Sequence, residues 1–333
     1  LLGNLFTALD EKQVAYNEIV TRLQTQDPEY SAFLGINPIT LDEVRTQVLD
    51  QHTTLIEYFI LRKQAVAWVI DQERAVLVPL DITANELVNQ VTGFYDKVQD
   101  RTADVPEAAS LYSRLFTPVR PFVRKNNLVI VSHGVLNYAP FAAFFDAQNG
   151  KYLVQTYAVS YAPSATLYKH LLNKRNTDSG RALVLGSGDD LLPFARQETR
   201  AVADALGVTP VMGDQATEAQ LYADASQVDT LHIAASGKYQ PLEPLFTYLA
   251  LAATEGEDGK LETHEIFSKL DLSNANLVVL SGNEQGNLEQ FHSWAEIPEL
   301  AWAFTYAGAP AVLTSNWRVD DAGVANFFEA FYR

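Results

Sequence analysis

Four polar stretches, each following an apolar run, hold the residues of this chain that could do chemistry. In an open parallel sheet, ligands meet the carboxyl ends of the strands, so the residue types at those ends decide which reactions are available. One stretch, residues 280–286, places Asn283 in a small polar turn. A carboxamide donates and accepts hydrogen bonds but offers no nucleophile. The four stretches are LGSGDD, HIAASG, LSGNEQG and TSNWRVDD.

Serine chemistry is one alternative, because Ser236 and Ser281 stand at two of these ends. A serine nucleophile needs an adjacent base. His232 precedes Ser236 by four residues on the same predicted strand, which puts the two about 13 Å apart. A lone histidine inside a strand is more often packed and hydrogen-bonded than catalytic. His133, at the end of the run LVIVSH, is a second candidate base.

Asp320 and Asp321 have two interpretations. They supply the N-cap and first-turn charges of the last helix, or they form an acidic pocket for a basic side chain. The stretch GSGDD lacks a complete G-x-G-x-x-G pattern and carries two aspartates, so it predicts a tight turn rather than a phosphate site. The histidines show no spacing that suits a metal ion, and we expect neither a metal nor a cofactor.

Composition excludes several classes of function. The chain has 333 residues, a formal net charge of −17 and no cysteine. So acidic a surface repels phosphate backbones, and nucleic acid is not expected as a partner. Without cysteine there is no thiolate nucleophile, disulfide or cysteine-based zinc site. No apolar run reaches the roughly 18 residues of a membrane helix, so we expect no membrane partner and a cytoplasmic location.

The elements that position these residues begin with helices. Apolar residues from Leu2 to Leu23 follow a helical spacing, and Thr40 with Glu43 forms a capping-box pattern that opens a second helix. Three β-branched and aromatic runs come next with little between them, which predicts an antiparallel meander. Both chain ends have a helix-like pattern, and we expect this chain to be a fragment of a longer protein. The three runs are TLIEYFILR, AVAWVID and AVLVPL.

The rest of the first half predicts two helices, at about 85–98 and 106–116, and two strands. LVIVSHG is typical of a buried strand and AVSYAPS of a short one, after which Ser164 caps a helix to about Leu172. Residues 173–181 are polar and turn-rich, as at an internal boundary.

Strands and helices then alternate regularly to the end of the chain, which predicts a mostly parallel sheet flanked by helices, an α/β fold. We expect an N-terminal helical segment over residues 1–45, a first subdomain over 46–175 and a second over 176–333.

Several blocks of this sequence resemble the CHAT family, a branch of the caspase-like peptidases that includes separase. They include LVIVSHGVLNYAPFAAFF, TLHIAASG, NLVVLSGNEQG and LAWAFTYAGAPAVLTSNWRVDD. The family's histidine belongs to a segment written roughly L-H-[hydrophobic]-A-T-H-G, and its cysteine to L-S-A-C-[EQ]-T-G. The histidine position corresponds to Ser236 here and the cysteine position to Asn283. These are 47 residues apart (283 − 236), close to the caspase spacing of about 50.

This resemblance implies a caspase-like second subdomain, a degenerate caspase-like first subdomain and helical tetratricopeptide repeats upstream. It also implies that both residues of the family's histidine–cysteine catalytic dyad are replaced here. We therefore expect no catalytic residue, and a pseudo-peptidase that binds a protein or peptide. An active hydrolase that uses a relocated set, such as Ser281, Ser236 or His133, is one alternative, and a scaffold for upstream repeats is another. The expected binding cleft comprises Ser236, Gly237, Ser281, Gly282, Asn283, Glu284, Asp320 and Asp321.

Overall fold

The computed structural model defines two main β-sheets with helices packed against them. Within the residues it describes, no helix is both long enough and apolar enough to cross a membrane. The described residues are 38–100, 102, 105–174, 180–188, 192–240, 243–282, 299–317 and 319–333, together with helical positions 12, 14, 15, 17–19, 21 and 22.

The first sheet is mixed. Its strand order is β3-β2-β1-β4-β7, in which β1, β2 and β3 form the predicted antiparallel meander and β4 and β7 continue it in parallel. The hairpin β5–β6 forms a separate two-stranded sheet. The strands of the first half are β1 (Thr53–Ile60), β2 (Ala65–Ile70), β3 (Ala75–Leu80), β4 (Asn127–Val131), β5 (Phe145–Asp146), β6 (Lys151–Tyr152) and β7 (Ala158–Ala162).

The helices of the first half begin where the sequence carries capping residues. The Thr40 hydroxyl and the Glu43 carboxylate close the predicted capping box of α1, and the Ser164 hydroxyl accepts from the Leu167 amide at the start of α4. Widened helical turns, Val44–Val48 and Tyr112–Phe116, extend α1 and α3. The helices are α1 (Leu41–Glu43), α2 (Ala84–Gln99), α3 (Val105–Leu111) and α4 (Ala165–Leu172).

The two faces of the first sheet are covered unequally. Alternate residues such as Ile56 and Tyr58 face a large core built with α2 and α3. Their neighbours, including Leu55, face a smaller core that the widened turn after α1 (Val44–Val48) and α4 complete. Beyond that smaller core, this second face stays exposed at Phe59.

The second sheet is parallel throughout, with strand order β15-β14-β10-β8-β9. A small antiparallel sheet, β11-β12-β13, follows the end of β10. The strands of the second half are β8 (Ala182–Gly186), β9 (Val211–Met212), β10 (Thr230–Ala234), β11 (Gly237–Lys238), β12 (Tyr248–Ala250), β13 (Lys260–Glu262), β14 (Leu277–Ser281) and β15 (Val312–Thr314).

Helices cover both faces of this parallel sheet, as the lack of a polar alternation in its strands requires. On one face Leu231 and Ile233 pack with residues of α6, α7 and α8. On the other, Val184 and Val279 pack with residues of α5 and α9. The helices are α5 (Ala195–Leu206), α6 (Glu218–Asp224), α7 (Thr263–Lys269), α8 (Glu299–Tyr306) and α9 (Asp321–Phe331).

No element was predicted from the sequence between 238 and 276, where the structure has β12, β13 and α7. These elements have three to seven residues each, too short for a clear period. The apolar clusters fall into two sets, one within residues 39–172 and one within 183–332. The division proposed at residue 175, which lies outside the described residues, falls between these two sets.

Candidate functional site

The carboxyl ends of β10 and β14 lie side by side. Ala234 is directly opposite Ser281 in parallel register, and the Ala235 amide donates to the Ser281 carbonyl at 3.1 Å. Positions 236 and 283 each follow this pair by two residues. The two positions aligned with the family's dyad therefore follow neighbouring strand ends. Asn283 and Glu284 themselves lie outside the described residues.

Ser236 is held where the large sheet meets the small one. Its side chain is buried, and its carbonyl accepts from the Ala250 amide of β12 at 2.8 Å. Gly237, the next residue, begins β11. The backbone at the position aligned with the family's histidine is thus fixed by β12, while the chain turns directly into the edge strand β11.

Two further buried serines lie at the carboxyl ends of strands in the same sheet. Ser187 follows β8, and its amide donates to the Ala234 carbonyl at 2.9 Å. Its hydroxyl is buried and has no hydrogen-bond partner among the described residues. Ser281 is buried at the end of β14. Small hydroxyl side chains therefore occupy the ends of β8, β10 and β14 in a row, and Ser187 was not predicted from the sequence.

Gly282, which directly follows β14, is closely approached by another segment of the chain. Its φ is +81°, in the region that favours glycine. A Cβ there would lie 2.4 Å from Leu192 Cδ1 and 3.2 Å from the Ala235 carbonyl oxygen. The segment that contains Leu192 therefore packs against the end of β14.

The segment that contains Leu192 also contacts the acidic pair Asp320 and Asp321, through Phe194. The Asp321 carboxylate accepts from the Phe194 amide at 2.7 Å, just before α5, and the Asp320 carboxylate caps α9 through the Gly323 amide at 2.9 Å. Burial raises the pKa of Asp321, and the nearby Glu198 and Asp320 carboxylates raise it further. The N-cap interpretation of Asp320 is confirmed; an acidic pocket for a basic side chain remains a proposal.

His232 is a packed residue, as the sequence indicated. It is fully buried and points toward α5 and α9, where its Nε2 lies 2.8 Å from Glu198 Oε1 and its Nδ1 lies 3.3 Å from the Tyr332 hydroxyl. The Phe328 ring packs edge-on against it. Both ring nitrogens have partners, so His232 is not available to Ser236 in this arrangement.

His133 belongs to the first sheet. Its Nδ1 accepts from the Ile60 amide at 3.3 Å, and its ring stacks on Phe59 at 4.4 Å between centroids. The structure therefore brings together Ser236, Ser281 and Gly282, whereas His133 packs beside β1.

Glu218 is a buried acid that the sequence gave no reason to single out. It is 1% exposed at the start of α6, and its Oε1 has no hydrogen-bond partner among the described residues. Burial, with the Glu265, Glu257 and Asp258 carboxylates nearby, raises its pKa to about 7. Thr217, the residue before it, bridges to Ala252, just beyond β12. The sequence TEAQ at residues 217–220 predicts only where a helix starts. The burial of Glu218 could therefore not be predicted from the sequence.

One group in the described part of the chain brings potential metal ligands together. Atoms of Glu262, His264 and Glu265 lie within 4.8 Å of one another. The two glutamates form the capping box of α7, and Lys269 pairs with Glu265 at 2.8 Å, which accounts for their approach without a metal. The histidine is exposed.

The profile of the CHAT domain family matches residues 105–333, more than half of the chain. The chain therefore belongs to the CHAT domain family. The match takes in β4 and β7 of the first sheet as well as the whole second sheet, so it crosses the proposed division between the subdomains.

Human tetratricopeptide repeat protein 28 is a more distant relative. It is 23% identical over an alignment of 301 positions, and the aligned part covers 70% of this chain. The matched part spans 12% of the length of that human protein.

Proposed function

We propose that this CHAT domain is catalytically inactive and binds a protein or peptide as a regulatory module of a larger protein. The observation that carries the proposal is the residue type at the dyad positions. Ser236 stands beyond β10 where the family has its histidine, and the sequence places Asn283 beyond the neighbouring β14 where the family has its cysteine.

Neither residue can perform the family's chemistry. Cysteine proteolysis needs a thiolate to attack a carbonyl and an imidazole to move the proton. The Asn283 carboxamide has no useful nucleophilic atom, and a serine hydroxyl is not a general base near neutral pH. His232, four residues before Ser236, is engaged by Glu198 and Tyr332.

A peptide-binding role is supported by β11, which follows Ser236 directly. β11 pairs with β12 on one side, and no other described strand pairs with it. An extended peptide that adds to such an edge gains main-chain hydrogen bonds. Because β11 starts at Gly237, the added strand would run past the former dyad.

Inactivity is tested by incubating the protein with a proteome-derived peptide mixture and identifying products by mass spectrometry. We expect no sequence-specific cleavage. Cleavage that disappears in Ser236→Ala or Ser281→Ala would contradict the proposal and favour a relocated serine hydrolase.

Binding is tested by selecting extended peptides from a displayed library and measuring their Kd for paired variants. Lys238→Glu changes the β11 edge, whereas Lys260→Glu makes the same charge change on β13, at the opposite edge of the small sheet. We expect Lys238→Glu to weaken binding at least tenfold and Lys260→Glu less than threefold. Equal effects, or no selectable peptide, would favour a scaffold.

A further inference from the structure

A second surface lies on the first sheet, away from the strand ends of the second. Side chains of a strand alternate between the two sides, so Leu55, Glu57 and Phe59 of β1 share one face. Leu55 is covered by the smaller core, with the widened turn Val44–Val48 and α4. Phe59, two positions past Glu57, is 47% exposed. The cover therefore stops about halfway along β1.

The uncovered part is formed by two cross-strand rows. Glu57 pairs with Trp68, which pairs with Leu77, and Phe59 pairs with Val66, which pairs with Pro79. Trp68 is 38% exposed and Leu77 is 47% exposed. The His133 ring stacks on Phe59 and extends the second row. We call this surface the aromatic face; it comprises Glu57, Phe59, Val66, Trp68, Leu77, Pro79 and His133.

Glu57 is the charged residue in the middle of this apolar surface. It lies between Trp68 on one neighbouring strand and Val131 on the other. Its side chain is half-buried, and it makes no hydrogen bond or ion pair with another described residue. Withdrawing a carboxylate from water without a partner costs free energy. Burial accordingly raises the pKa of Glu57.

Two carboxylates of the same half that are more deeply buried, Asp71 and Asp146, have partners. Asp71 receives two nitrogens of Arg124 at 2.7–3.0 Å, and Asp146 receives the Tyr112 hydroxyl at 3.0 Å and the Asn149 amide at 2.7 Å. Glu57 is the contrasting case, since its surroundings are apolar and aromatic. Such surroundings suit a cation that also packs against rings.

We propose that the aromatic face docks a segment of a partner protein that presents one arginine among apolar side chains. A guanidinium pairs with a carboxylate through two parallel hydrogen bonds and also stacks on aromatic faces, so it fits Glu57 beside Trp68 and Phe59. Apolar neighbours of that arginine would cover Leu77 and Val66.

Charge complementarity selects this occupant over a uniformly basic one. The net charge of −17 draws basic partners toward the molecule. Arg62 and Lys63, however, are exposed in the turn between β1 and β2, at the end of the same face. They repel a partner that is basic along its whole length, whereas a single central arginine over Glu57 avoids them.

The test is a displayed library of random 16-residue peptides, selected in parallel on the wild-type protein and on Glu57→Gln. The neutral glutamine keeps the shape of the side chain, and loss of an unpaired half-buried charge leaves the fold intact. A matched control is Glu255→Gln, which makes the same charge change in an exposed loop. We expect arginine to be enriched on the wild type and on the control but not on Glu57→Gln.

Selected peptides are then compared with versions in which citrulline replaces arginine. We expect the arginine form to bind the wild type at least tenfold more tightly, the two forms to bind Glu57→Gln equally, and Trp68→Ala to weaken both. Peptides that show no arginine preference, or that bind Trp68→Ala unchanged, would overturn the proposal. A concentration-dependent dimer that Trp68→Ala abolishes in sedimentation would also overturn it, because a second copy would then be the occupant.

Discussion

The two main sheets offer their surfaces in opposite ways. The first sheet is mixed and leaves part of one face open, with Phe59, Trp68 and Leu77 exposed. The second sheet is parallel and is covered by helices on both faces, and in the described part of the chain the polar residues of its strands, apart from the buried His232, lie at the strand ends. A mixed sheet with an antiparallel meander can expose a face, whereas parallel strands are buried on both sides.

This difference separates two kinds of recognition. The open face of the first sheet offers broad apolar contact around one carboxylate, Glu57. The carboxyl ends of the strands in the second sheet present backbone groups and small residues, such as Ser236 and Gly282, which are tightly packed. Substitutions in each half test this contrast. They measure how tightly residues are packed near the strand ends of the second sheet and how open the face of the first sheet is.

The largest expected effect concerns Gly186 at the end of β8. A Cβ there would lie 2.2 Å from Thr199 Oγ1 and 2.9 Å from Thr199 Cβ, inside the interface between β8 and α5. We expect Gly186→Ala to lower the free energy of unfolding by about 2–3 kcal/mol, because overpacking forces displacement of α5. Urea denaturation measures this.

Two controls isolate the cause. Gly93 lies on α2, where an added methyl group would have nothing within 4 Å, so Gly93→Ala should stabilise by about 0.5–1 kcal/mol. The double variant with Thr199→Ala should recover part of the loss. Additive effects of the two substitutions would contradict the packing explanation.

The second prediction compares one glutamate from each half, the buried Glu218 and the half-buried Glu57. Both Glu218 and Glu57 have a raised pKa, that of Glu218 about 7. A raised acid pKa means that the folded state binds a proton more tightly than the unfolded state. The free energy of unfolding therefore falls as pH rises from the unfolded-state pKa through the folded-state pKa, at about 1.4 kcal/mol per unit of difference.

Between pH 5 and 8 the free energy of unfolding should therefore fall by about 2 kcal/mol less in Glu218→Gln than in the wild type. The difference should be smaller for Glu57→Gln, because Glu57 lies on an open face. Chemical denaturation at both pH values gives the difference. A steeper decline in Glu218→Gln than in the wild type would show that the carboxyl is not the titrating group.

The third prediction concerns the geometry of the two positions aligned with the family's dyad. Ser236→His with Asn283→Cys should react with a peptidyl acyloxymethyl ketone at least tenfold faster at pH 7 than Asn283→Cys alone. An isolated thiol with a pKa near 8.5 is only a few per cent ionised there, and a neighbouring imidazole raises the thiolate fraction.

The matched control is Ser187→His with Asn283→Cys, because Ser187 is equally buried but follows β8, which is not a neighbour of β14. It should not accelerate labelling. Equal rates for both double variants would mean that the strand ends no longer bring the dyad positions together.

The smallest effect is expected at Asp321. Asp321→Ala removes the acceptor of the Phe194 amide before α5 and should cost about 1 kcal/mol, measured by urea denaturation. Asp321→Asn keeps an acceptor and should cost less. A larger loss in the asparagine variant would point to a role for the charge itself.

Much of the fold could be predicted from local patterns. The meander of β1 to β3, the alternation from β8 to α9 and the caps at Thr40 and Ser164 all depend on residues close together in sequence. Neighbouring strand ends for positions 236 and 283 follow from a parallel sheet together with the family resemblance.

Other features depend on contacts between distant residues. The partners of His232 lie 34 and 100 residues away, and no period or motif marks Glu198 or Tyr332 as its neighbours. Glu218 likewise lies near carboxylates that are distant in sequence, those of Glu265 on α7 and of Glu257 and Asp258 in the loop before β13. The open part of the first sheet was also invisible, since the pattern of β1 does not reveal how far α1 and α4 extend over it.

The conformation of Gly282 has a consequence for any attempt to build the family's motif into this chain. The family pattern has alanine before the cysteine, whereas this chain has glycine at φ +81° with Leu192 packed where a methyl group would be. An alanine at position 282 would have to adopt a backbone conformation that favours glycine and would also displace Leu192. Building the family's motif into this chain therefore takes a change at Leu192 together with the change at Gly282.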